Sequence, residues 1–284
     1  MFKTLTEPKK SGILFSLFIL FYLIFTVIVS VVLVMFSASD FFLNVFSPLC
    51  YVLAVVCVFI FNRKLFDSKI TFFKSEKTSF KYYILALLLA VGMLFSLGSI
   101  NSIFTDYLSK FGVQVPSISL DLSSPTKYII SIISIALLPA FFEELFFRKI
   151  LIGSLKIDSI KLSILVGLLF SLYHVSLSQF IYQFVYGFLL TILALKGRSF
   201  YPCVLAHFIN NFLVLSLEYF KININFYSWQ VIVVGFVFLF SFIIGIFFND
   251  KEEEKKESLL EFFSYSLIGI AICILLIISG VKAC

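Results

Sequence analysis

Glu143 and Glu144 stand side by side in Ala140-Phe-Phe-Glu-Glu-Leu-Phe-Phe-Arg-Lys149, and Arg148 follows four residues after the second. The run around them is apolar from Tyr128 past Ile152. An ionisable group at bilayer depth costs about 2.5–3.5 kcal/mol on insertion scales, so such groups face protein or water and pair with something. The chain has two histidines, His174 and His207, each in its own later apolar segment, and Asn210 and Asn211 follow the second. A carboxylate beside an imidazole can deprotonate water. A second imidazole and a carboxamide can donate to a developing oxyanion. Such a set hydrolyses without a serine or cysteine nucleophile. His, His and Glu is also a zinc ligand set, so a metal held by Glu143, His174 and His207 stands as the alternative.

Helical spacing decides how these groups can meet. Residues four apart share a face, so Glu144 and Arg148 can pair within one helix. Glu143 is turned about 100° away and is left to face something else. Pro139 removes a backbone donor one turn earlier, and the freed carbonyl is tolerated only where protein or water meets it. Phe170 and His174 share a face, and so do His207 and Asn211.

The elements that must position these residues are transmembrane helices. The 284 residues are 61% hydrophobic, mean hydropathy is +1.09, and charged residues are 13%. Soluble chains are nearer 45–50% apolar. The fold class is all-α: a polytopic integral membrane helical bundle of about nine spans. They are expected at residues 11–36, 41–61, 82–103, 124–155, 159–177, 179–195, 201–217, 229–248 and 259–281, with a surface helix at 104–111. Spans of roughly 17–25 residues fit a bilayer of about 30 Å. Three regions follow: N-terminal helices and loop at 1–123, core helices at 124–217, and C-terminal helices at 218–284. The first two and last two spans are expected only to flank the core.

Lys and Arg collect at the N-terminus, Asn62–Lys81 (with Lys69), Arg148–Lys161, Lys196–Arg198 and Lys251–Lys256, on alternate connections. That bias places the N-terminus in the cytoplasm and the C-terminus outside, in a multi-pass protein of the cell membrane. The net charge of +6 is juxtamembrane, and no basic patch interleaved with exposed aromatics suggests nucleic acid. Asn249–Glu257 reads as a solvated charge run. The five cysteines form no CxxC pair and read as small buried hydrophobes, and terminal Cys284 cannot accept a prenyl group.

Each residue also has a plainer reading. Glu144 and Arg148 can be a structural ion pair, Glu143 an interfacial carboxylate, either histidine a packing residue, and Asn211 interhelical glue. The ordered co-occurrence is what separates them from these readings. Glu143-Glu144-x-x-x-Arg148, Phe170-x-x-x-His174 and His207-x-x-x-Asn211 resemble, in that order, the CPBP family of intramembrane proteases, also called the Abi or CAAX-protease-like family. It includes type II CAAX prenyl endopeptidases and bacteriocin-processing or self-immunity proteins. The resemblance spans roughly Ser124–Leu217. It implies that Glu143 and His174 activate the attacking water, His207 and Asn211 stabilise the oxyanion, and Glu144, Arg148 and Phe170 shape the site. It favours a metal-free glutamate mechanism over zinc, with a peptide or protein substrate at the membrane and the bilayer itself as partners.

Two rival functions remain. One is a non-catalytic scaffold or immunity protein that uses the same polar groups for binding. The other is a proton-coupled transporter, weakened by the absence of broken helices in repeated halves. One expectation strains the drawn topology: Glu143 lies toward the cytoplasmic half of its helix and His174 toward the outer half of the next. The site closes only if the fifth span starts later than drawn or the fourth continues past Arg148.

Overall fold

The computed structural model describes residues 5–65, 73–113, 120–155, 157–247 and 259–282. Asn249–Glu257, Lys69, Pro116 and Cys284 lie outside them. Among the described residues the chain forms nine helical rods: α1 Glu7–Met35, α2 Asp40–Leu65, α3 Phe80–Lys110, α4 Pro125–Ser154, α5 Ser159–Tyr173, α6 Phe180–Gly197, α7 Tyr201–Tyr219, α8 Trp229–Phe247 and α9 Leu259–Lys282.

Their starts are written locally. Ser79 accepts from Lys81 N at the head of α3, and Ser124 from Lys127 N at the head of α4, just before Pro125. Asp158 accepts from the amides of Ile160 and Lys161 at 3.1 and 3.0 Å at the head of α5. Its charge also suits the positive end of that helix.

Seven of the nine rods are long and apolar enough to cross a membrane. α7 falls short because His207, Asn210, Asn211 and Glu218 dilute its apolar run. α5 is apolar but only 15 residues long, about 22 Å at 1.5 Å per residue. Outward-facing apolar side chains are largely exposed: 70% at Val34, 77% at Met35, 63% at Phe240 and 65% at Leu275. Apolar surface on that scale belongs in lipid. The fold is a polytopic helical membrane bundle.

Two boundaries differ from the sequence expectation in ways that bear on the site or its surroundings. The surface helix expected at 104–111 is the unbroken end of α3, which runs through a π turn at Met93–Leu97. α5 stops at Tyr173 rather than Leu177, because Val175 adopts φ +51°, a left-handed conformation that is unusual for a β-branched residue.

α1 and α9 run side by side in the same direction, Gly12 beside Phe262 and Ser16 beside Gly269. α1 packs on α2 and α9, α5 on α6, and α3 on α7 and α8, while α4 lies between α2 and α7. The basic connections gather at one end. There Ser11 Oγ donates to Leu151 O at 3.2 Å, Phe73 N to Lys149 O at 2.9 Å, and Glu76 N to Arg198 O at 2.8 Å. At the other end Tyr227 donates to Asp106 and Tyr128 stacks on Tyr219. Cys50, Cys203 and Cys273 are buried free thiols and Cys57 is half-buried.

Candidate active site

α4 carries the centre of the site. It is not a plain α-helix: π turns at Ile132–Leu137 and Leu145–Leu151 flank the α-helical stretch Leu138–Glu144. Such turns are frequent at functional sites because they change which side chains share a face. Pro139 has no N–H to give to the carbonyl of Ile135, four residues back. Asn211 of α7 donates its amide to that oxygen at 3.4 Å. The amide expected beside the oxyanion therefore also holds the backbone that Pro139 leaves open.

Glu144 and Arg148 are fully buried and pair at 3.2 Å, as the four-residue spacing requires. Arg148 extends further. Its Nη2 donates to Gly187 O of α6 at 3.1 Å, and its Cζ lies 4.5 Å from the centre of the Phe170 ring. The Gly187 carbonyl is within reach because α5 and α6 touch at Gly167 and Gly187. A Cβ on Gly187 would meet the Phe170 Cβ at 3.0 Å.

His207 of α7 places Nδ1 2.9 Å from the same Glu144 oxygen that Arg148 uses. The sequence reading did not anticipate that pairing. Nδ1–H is the donor there, because a carboxylate only accepts. His174, capping α5, places Nδ1 2.7 Å from the Phe170 carbonyl. A carbonyl also only accepts, so in the neutral imidazole the proton sits on Nδ1 and Nε2 carries the lone pair. That lone pair lies 3.9 Å from Glu143 Oε2. Glu143 is 5% exposed; its Oε1 accepts from Tyr173 at 3.5 Å, and its Oε2 has no hydrogen-bond partner among the described residues.

The site closes because α4 continues past Arg148 to Ser154; α5 does not start later than drawn but begins at Ser159 and ends early, at Tyr173, beside Glu143.

Tyr182 of α6 donates to Asn210 Oδ1 at 2.6 Å, and Asn210 contacts Asn211 Oδ1 at 3.5 Å, which orients the amide pair. α1 is not merely a flank. Phe18 stacks on Phe146 with centroids 4.1 Å apart, and Phe18 and Tyr22 lie 5.2 and 5.4 Å from the Tyr173 ring. Tyr173 and Tyr22 escaped the sequence reading because one tyrosine in an apolar run looks like packing. Adjacency of Tyr173 to His174 was the only signal.

The zinc alternative does not fit this arrangement. Among the described residues no group of three or more His, Cys, Asp and Glu side chains could hold a metal ion.

Residues 125–213 match a family model described as type II CAAX prenyl endopeptidase Rce1-like. The matched stretch is roughly a third of the chain and runs from the head of α4 to beyond Asn211, so it contains every residue of the three motifs. No curated protein and no solved structure matches the chain. The family match bears out the resemblance carried by the motifs, and it supports an endopeptidase of the CAAX-protease type, acting on protein or peptide at the membrane.

Proposed function

We propose that the protein is an intramembrane endopeptidase of the cell membrane in which Glu143 and His174 activate the water that attacks the scissile amide. The observation that carries this reading is the 3.9 Å gap between Glu143 Oε2 and the unprotonated His174 Nε2. It is too long for a direct hydrogen bond and short enough for one water to donate a hydrogen to each acceptor. That leaves the water's lone pair for the carbonyl carbon.

In the attack the water proton passes to Glu143, the C–O bond forms, and the carbonyl oxygen becomes an oxyanion. His207 spends Nδ1–H on Glu144, so its Nε2 donates only as an imidazolium, whose charge Glu144 offsets. With Arg148 also on Glu144, the four ionised groups then sum to zero. Asn211 has a second amide hydrogen beyond the one given to Ile135 O, and it serves the same oxyanion. Glu143 then returns its proton to the leaving amine, and the C–N bond breaks. The basic ends of α2, α4 and α6 face the cytoplasm in this reading.

The test compares cells carrying the native protein with cells carrying Glu143→Gln at matched membrane abundance, profiling membrane and secreted peptides. A fragment present only with Glu143 intact is expected, with its yield falling at least about 100-fold in the variant. Identical peptide profiles with an unchanged cellular phenotype would overturn the catalytic reading and favour a binding or immunity role for the same groups.

A further inference from the structure

Tyr173 is the last residue of α5 and immediately precedes His174. It makes the one hydrogen bond that Glu143 receives among the described residues, to Oε1 at 3.5 Å. That length is longer than the roughly 2.5–3.0 Å of a settled hydroxyl hydrogen bond, and catalytic contacts commonly tighten only once substrate binds. The ring is 4% exposed and held on several sides. Phe147 of α4 lies 5.7 Å away, His174 5.1 Å, and Phe18 and Tyr22 of α1 5.2 and 5.4 Å. A ring so enclosed presents its hydroxyl in one direction. Glu143, by contrast, has a flexible side chain and a second oxygen with no hydrogen-bond partner among the described residues.

Resting on the protease reading, we propose that Tyr173 is a positioning residue for Glu143. Its hydroxyl ties down Oε1 and so turns Oε2 toward the water shared with His174. Because His174 is the next residue, one backbone turn sets the donor that aims the carboxylate and the imidazole that faces it. The strained turn at Val175, φ +51°, ends α5 there. The ring itself is held by α1, which lies outside the matched stretch 125–213. The site is therefore completed by a helix that the family match does not include.

Infrared difference spectra of the full-length protein in lipid nanodiscs test the contact without a substrate. The carboxyl band present in the native protein and missing in Glu143→Gln belongs to Glu143. Tyr173→Phe, which keeps the ring and its packing, is expected to shift that band; an unmoved band overturns the proposal. In cells, at matched abundance, Tyr173→Phe is expected to lower the Glu143-dependent fragment by between about tenfold and 100-fold, the scale of a misplaced reacting group. Phe18→Leu keeps the hydroxyl but loosens the ring, and a smaller loss of about threefold is expected. Full fragment yield from Tyr173→Phe overturns the positioning role even if the band moves. If the native protein yields no fragment, the protease reading falls, and the infrared band alone decides the Tyr173–Glu143 contact.

Discussion

Arg148 orders more of the site than either glutamate does. It neutralises Glu144, ties α4 to the Gly187 carbonyl of α6, and lies over the Phe170 ring that packs on His174 at 4.7 Å. Its guanidinium can do this because it is a planar fork with several donors, where lysine offers a point charge. Removing it leaves a buried carboxylate with only His207 for company. Breaking one partner of a buried pair costs about 3–5 kcal/mol. Arg148→Met is therefore expected to lower stability by about that amount in denaturation of the detergent-solubilised protein. A variant as stable as the native chain would show that Glu144 is satisfied without the cation.

Helices α1 and α9 show how an element far from the chemistry can matter to it. They approach closely where small residues meet, the usual device in lipid, where apolar surface gives helices no reason to associate. A Cβ on Gly12 would lie 2.5 Å from Phe262 O, and one on Gly269 would lie 3.0 Å from both Phe15 and the Ser16 Cα. Ser16 Oγ bridges the pair, donating to Tyr265 O at 2.8 Å and accepting from Gly269 N at 3.3 Å. α9 thus braces α1, and α1 braces Tyr173. Gly269→Leu is expected to push α1 aside and lower the Glu143-dependent fragment about tenfold or more at unchanged abundance, the effect of displacing a reacting group by about an ångström. Native fragment yield from that variant would show that α9 does not support the site through α1.

At the scale of the molecule, the bundle closes a polar centre inside an apolar shell. Four helices bring the ionisable and amide groups together: α4, α5, α6 and α7. The remaining helices shield them from lipid or, as α1 does, press on them. Metal dependence is a property of the whole assembled protein and is tested as such. The purified active protein is expected to keep its activity in chelator and to lack stoichiometric zinc on elemental analysis. Zinc near one per chain together with loss of activity on chelation would overturn the metal-free mechanism.

The sequence by itself determined the helices, their order and the identity of the polar centre. Charged and imidazole groups stand out in an apolar background because burying them in lipid is costly, and the four-residue spacing of Glu144 and Arg148 is a local helical fact. Tertiary structure alone decided the pairings between helices. His207 on Glu144, Asn211 on the Ile135 carbonyl and Tyr173 on Glu143 each join residues 30 or more positions apart, a separation that helical periodicity does not address. It also decided the depth of the site, because where α5 ends depends on the turn at Val175 and on α4 continuing through two π turns. Hydrophobic pattern specifies which segments enter the membrane. Which faces then meet is set by close packing at glycines and by backbone groups that need partners, and those are satisfied only once the helices are side by side.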